Sequence, residues 1–278
     1  MTSLDLALPL ARPAATRSLG PLATLARRRF QLTARTPREL VVPLLTPIMF
    51  ALVIAPALKT ALHTAASYES FVAIGTVGLL IPLNTMFSGL SVIVDRTSGA
   101  QRELLTAPIP RGLLVLGNLL VALAITALQG GVLIAVAVAR GIHFQTTAGG
   151  VAWFAGTALL FTVGMYGMAE ILAQRVPRQE EYIARVPAIA ILPWFLAGAL
   201  FPITALPIFL RWVTKFLPLT HTLAVLRYGL RGDPSGLQAI WHLNSPGEMA
   251  GLSLAVVACF ALLLTIVSIR VFSRSAVS

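Results

Sequence analysis

The chain has 278 residues, 57% of them hydrophobic and only 11% charged, and a formal net charge of +11. A soluble domain carries about 25% charged residues, so composition excludes that class and indicates a helical membrane protein with room for about six spans. The basic excess flanks apolar runs, which points to anionic head groups and the membrane potential rather than to nucleic acid.

Residues 1–18 mix Pro, Ala, Ser and Arg without a continuous apolar core and read as a disordered leader, too irregular for a signal peptide. Residues 19–38 are amphipathic. Leu19, Leu22, Ala26, Phe30 and Thr33 share a face, and Arg27, Arg28, Arg35 and Arg38 lie away from it. That pattern suits an interfacial helix, or else the positive flank of a first span.

Spans are expected near 41–61, 70–94, 112–139, 149–174, 183–204 and 249–271. The first contains Pro43, Pro47 and Pro56 and is expected to kink. Gly156, Gly164 and Gly167 in the fourth would let a neighbouring helix approach closely. Cys259 is the only cysteine, which excludes an intrachain disulfide.

Between the second and third spans lies Asp95–Arg111, the densest polar stretch. Ser98 and Gln101 have capping-box spacing, which predicts a short helix starting near Gly99 and ended by Pro108 and Pro110. The bland reading of the pattern is a solvated loop that orients the spans, and the pattern alone does not decide its role. With both termini cytoplasmic, most arginines, including Arg96, Arg102, Arg111, Arg175, Arg178 and Arg185, fall inside. Lys59, Arg140, Arg211, Lys215, Arg227 and Arg231 fall outside. The bias favours that topology and puts 95–111 in the cytoplasm.

Residues 201–231 are too apolar for a free loop and too interrupted by Pro202, Pro207 and Pro218 for one straight span. Two pieces near 205–216 and 219–230 fit an outer re-entrant or interfacial hairpin.

Enzyme chemistry is not legible. Neither lysine, Lys59 or Lys215, follows a glycine as a P-loop requires. The four histidines lack metal-ligand spacing, and no G-x-S-x-G elbow occurs. Polar residues within spans are few: Asn84, Gln129, Glu170 and Gln174. Glu170 either reaches the interface and pairs with Arg175 or Arg178, or serves a proton pathway, which would make the chain a proton-coupled secondary transporter.

Asp95-Arg96-x-x-Gly99, followed by Glu103-Leu104-Leu105, Pro108 and Arg111, resembles the cytoplasmic segment of type-2 ABC exporter permeases, most nearly the daunorubicin-resistance type. Leu196–Pro202, Leu206-Pro207, Pro218-Leu219-Thr220 and Arg227 are similar to the family's outer hairpin, although Ala197 and Leu217 replace its usual Ser and Asn.

The resemblance implies an all-α membrane protein of six transmembrane helices with both termini cytoplasmic. Residues 39–278 would form the permease domain behind an N-terminal amphipathic interfacial helix, with an outer re-entrant helical hairpin between helices five and six. It implies pairing with two cytoplasmic ATPase subunits that hold ATP and Mg, with no cofactor on this chain, and with a second permease, self or paralogue. It further implies membrane lipids and no nucleic acid as partners, and a location in a bacterial inner membrane.

By the same resemblance Asp95, Arg96, Gly99, Arg102, Glu103, Leu104, Leu105, Pro108 and Arg111 would couple to the ATPase. Gly198, Phe201, Pro202, Pro207, Pro218, Leu219, Thr220 and Arg227 would build the outer hairpin. Asn84, Phe87, Gln129, Tyr166 and Glu170 are candidates to line a path for amphipathic drugs or lipids. The alternatives are export of a polysaccharide or lipid-linked polymer, and a non-transporting membrane scaffold with this fold.

Overall fold

A computed structural model describes residues 19–34, 45, 48–54, 56–57, 60, 67–101, 106 and 110–275. Among them the regular elements are helical. They are α1 (Leu19–Ala34), a π-helical turn (Phe50–Ile54), α2 (Ser67–Thr97), α3 (Arg111–Ala139), α4 (Ala148–Arg175), α5 (Gln179–Leu196), a 3-10 turn (Ile203–Ala205), α6 (Ile208–Thr214), α7 (Pro218–Arg231), α8 (Ser235–Trp241) and α9 (Pro246–Ser275). The expected leader 1–18, and about half of the expected first span with Pro43 and Pro47, lie outside the described residues.

Among the described residues four helices, α2, α3, α4 and α9, are long and apolar enough to cross a membrane. Their ends are set by local chemistry. At the start of α4, Thr147 Oγ1 accepts from the Gly150 amide at 3.0 Å. α2 carries Glu69 in its first turn and Arg96 in its last, the charge order that complements the helix dipole. Just past the end of α2, Gly99 takes a φ of +82°, which only glycine adopts freely.

The expected Ser98–Gln101 capping box does not form. The Ser98 amide donates to Val94 O, and Gln101 is buried with its side-chain oxygen unpartnered. Ala100, Gln101 and Thr106 are helical, whereas Arg102, Glu103, Leu104, Leu105 and Pro108 lie outside the described residues.

The fifth apolar run was expected to continue to 204. Instead α5 stops at Leu196, because Gly198 takes φ +82° and turns the chain back. Pro187 and Pro193 are accommodated inside α5.

α4 is the centre of the bundle and packs on α9, α2, α7 and α3. Gly164 and Gly167 let α9 come close: a Cβ on Gly164 would lie 2.7 Å from Phe260, and one on Gly167 2.9 Å from the Leu264 backbone. Gly156 meets nothing within 4 Å and does not share that role. α1 packs on α3 through Leu25, against the gap left by Gly117. Phe30, on the apolar face expected for an interfacial helix, is exposed.

Candidate functional site: two arginine clamps on one helix

α2 spans 31 residues, about 46 Å at 1.5 Å per residue. Each end meets an arginine bound to main-chain carbonyls. At its C-terminal end Arg96 turns to the end of α4. Nη1 donates to Ala173 O at 2.8 Å and Gln174 O at 3.2 Å, and Nη2 donates to Val176 O at 2.6 Å and Pro177 O at 3.2 Å. The last carbonyls of a helix have no intrahelical donor and carry the negative end of its dipole. A guanidinium fork suits several of them at once. Arg96 therefore ties α2 to α4 just before the chain leaves for residues 99–111.

Behind that clamp Asp95, Gln101, Asn118 and Glu170 line a cavity of about 30 Å³, closed by Val92, Leu114, Val115 and Phe272. Such a volume holds one or two waters. Glu170 is buried and accepts from Tyr166 Oη and Gln174 Nε2, each at 3.1 Å. Neither Arg175 nor Arg178, both exposed, pairs with it. A carboxylate buried this deeply needs hydrogen bonds of this kind.

Of the other candidate path residues, Tyr166 joins Glu170, whereas Asn84, Phe87 and Gln129 do not line this cavity. Phe87 is exposed, and Tyr166 is buried against Glu170. Asn84 Nδ2 and both amide atoms of Gln129 lack partners.

The opposite end of α2 carries the second clamp. Arg227, 7% exposed, donates from Nη2 to Gly198 O and Ala199 O, each at 2.9 Å. Its guanidinium carbon stands 3.4 Å from the centroid of the Phe71 ring on α2, a cation–π contact. The turn it holds is stitched to α2 from three sides. Tyr68 Oη donates to Leu200 O at 3.0 Å, and Trp194 Nε1 donates to Gly75 O at 2.7 Å. A Cβ on Gly75 would run into the Ala199 carbonyl oxygen. Midway along α2, Tyr182 Oη donates to Met86 O at 2.6 Å, in the space that Gly89 leaves.

Sequence reasoning singled out Arg96, Gly198 and Arg227 but missed Tyr68, Phe71, Gly75, Tyr182 and Trp194. A legible signal existed. Tyr and Trp inside apolar runs need partners for their polar tips.

The expected hairpin separates into unlike arms. Pro202 precedes the 3-10 turn, Pro207 caps α6, and Pro218 starts α7. Phe201 is exposed, while Leu219 and Thr220 are buried. α7 packs on α4, α9 and α2, and α6 does not join that core. α7 is further fixed by His221, whose Nε2 donates to Lys215 O at 2.9 Å and whose Nδ1 lies 3.2 Å from Ser253 Oγ. Ser253 Oγ accepts from Trp241 Nε1 at 2.7 Å. Gly229 and Gly150 let the ends of α7 and α4 touch backbone to backbone.

A family model described as "ABC-2 type transporter" matches residues 21–230. The chain is 23% identical over 182 residues to a protein of Escherichia coli (strain K12) named "Probable multidrug ABC transporter permease YbhR". That match covers 63% of this chain and 47% of the relative. It is 27% identical over 175 residues to "Nodulation protein J" of Rhizobium leguminosarum bv. trifolii, covering 60% of this chain and 64% of the relative. The matched regions thus span about half of the first relative and under two thirds of the second.

Proposed function

We propose, on the premise that this chain belongs to the ABC-2 type transporter family, that it is the permease subunit of an ATP-driven exporter of amphipathic drug-like or lipid-like compounds. Two copies of a cytoplasmic ATPase subunit supply ATP binding and hydrolysis, and a second permease completes the path. Six spans place both termini and residues 95–111 in the cytoplasm of a bacterial inner membrane, and the hairpin at 201–231 outside. The word "multidrug" in the name of the Escherichia coli relative supports the substrate class.

The observation that carries the coupling reading is the Arg96 clamp. A motor that grips residues 99–111 pulls on the ends of α2 and α3. Because Arg96 binds the end of α4, the pull reaches the central helix directly and is not absorbed at a loose helix end. Leu104 and Leu105 supply the apolar contact with the ATPase. Asp95, Arg102, Glu103 and Arg111 set its orientation, as rim charges do. Gly99 and Pro108 bound the gripped segment.

Co-purification from the native host tests this reading. Leu104→Asp with Leu105→Asp is expected to abolish ATPase association while membrane insertion stays normal. Recovery of the chain without any ATPase subunit would sink the exporter reading and favour the scaffold alternative. Polysaccharide or lipid-linked polymer export is separated from drug export by which compounds stimulate ATP hydrolysis in the reconstituted complex.

A further inference from the structure

α6 is built inside out. Ile208, Phe209 and Trp212 are 66%, 73% and 60% exposed, and Phe216 just beyond the helix is 82% exposed. On the opposite side the polar Thr214 is fully buried. Arg211 folds back so that its Nη2 donates to Thr204 O at 2.6 Å and Leu206 O at 3.3 Å. Positions 208, 209, 212 and 216 fall on one stripe at helical spacing. A helix with its large apolar side chains outward and its hydroxyl inward is stable only where the surrounding medium is itself apolar.

A cation stands beside the stripe. Lys215 Nζ lies 5.1 Å from the centre of the Trp212 ring and 3.3 Å from His242 Nε2. His242 ends α8 with φ 57°, the one positive φ on a residue other than glycine among the described residues. Such a backbone is costly for histidine and places its ring against the ammonium. Among the described residues no carboxylate pairs with Lys215. Aromatic rings beside a lysine that has no carboxylate partner among the described residues match the layer where acyl chains meet phosphates.

We propose that α6 and Phe216 lie in the head-group layer of the bilayer with their aromatic stripe among the acyl chains, and that Lys215 and His242 bind the phosphate of an anionic phospholipid there. The occupant is a lipid, because an exposed aromatic stripe and an ammonium with no carboxylate partner among the described residues sit side by side at one short helix. This rests on the chain crossing the membrane and not on its transport activity, so either reading can fail alone.

The test uses the full chain in nanodiscs containing phosphatidylcholine and phosphatidylglycerol. The Trp212 emission is taken as wild type minus Trp212→Phe, with Phe216→Trp as a second reporter. Lipid brominated high on the acyl chain is expected to quench both reporters, and aqueous iodide is expected to leave them unchanged. Lys215→Gln with His242→Gln is expected to lower the association of spin-labelled phosphatidylglycerol, relative to phosphatidylcholine, about fivefold. Quenching by iodide alone would show a face turned to water, and shielding from both quenchers would show a face covered by protein. Either result overturns the proposal. Lipid quenching with an unchanged phosphatidylglycerol preference overturns the phosphate site.

Discussion

At one end of α2 the Arg96 guanidinium binds four carbonyls of the α4 terminus and remains partly exposed. At the other end Arg227 binds two carbonyls of the α5 turn and is sealed beneath the Phe71 ring. The same side chain thus makes the same kind of bond in different dielectrics. A charge–carbonyl bond is weakened by competing water and strengthened by its exclusion. Arg227 accordingly holds the fold, while Arg96 can exchange carbonyl bonds for water. Between them lies Pro82, which has no N–H to offer the Gly78 carbonyl and so leaves α2 its weakest turn between the two clamps.

The largest effect is expected at the sealed end. Arg227→Ala strips two charge-assisted bonds, leaves the Gly198 and Ala199 carbonyls buried without donors, and empties the space under Phe71. A loss of about 3–5 kcal/mol follows, read as a lowered Tm of the detergent-purified protein. Arg227→Lys is expected to recover less than half of it, because an ammonium cannot reproduce the planar stack.

Arg96→Ala is expected to cost about 1–2 kcal/mol, since water replaces part of what is lost. A Tm drop equal to that of Arg227→Ala would erase the contrast between the two ends.

Gly75→Val sharpens the picture of the sealed end. Its side chain collides with the Ala199 carbonyl oxygen, and a cost of about 1–3 kcal/mol is expected. Gly130→Ala, which meets nothing within 4 Å, is the matched control. It is expected to be neutral or to stabilise by about 0.5–1 kcal/mol through helix propensity. Equal Tm values for the two variants would contradict close packing at the turn.

The smallest effect concerns Asp233, in the loop after α7. Burial alone would raise its pKa, but hydrogen bonds from Ser235 and the nearby Arg231 and Arg227 outweigh burial and hold it below the usual carboxylate range. A depressed carboxylate pKa contributes stability that is complete above the unfolded value and disappears as pH falls through the folded one. Wild type is therefore expected to lose slightly more Tm than Asp233→Asn on acidification from neutral pH to below the carboxylate range. Parallel curves would remove this contribution.

Much of this frame is written in the sequence as uninterrupted apolar length. The ends of α2, α3, α4 and α9 fall within a few residues of expectation because Gly, Pro and charge clusters bound long hydrophobic runs. α5 was misjudged at its C-terminal end, because hydropathy continues past Leu196 while the chain has already turned at Gly198. Only the positive φ and the Ala199–Gly75 contact reveal that turn.

The hairpin arms could not be ranked from composition, since α6 and α7 both read as short apolar helices. Burial is decided by α7 filling the space between α4, α9 and α2. The D-R-x-x-G stretch marked Arg96 and Gly99 as special without saying why. The reason is geometric: one caps another helix, and the other ends its own. Leu104 and Leu105 lie outside the described residues, so their part rests on pattern and resemblance alone.

The central claim is that force applied at residues 99–111 reaches the bundle through the Arg96 clamp. The most direct measurement is transport per ATP hydrolysed by the purified, reconstituted complex carrying Arg96→Ala. The expected result is near-normal hydrolysis with transport reduced about tenfold or more, corresponding to about 1.4 kcal/mol of lost coupling. Wild-type transport per ATP in that variant would contradict the claim.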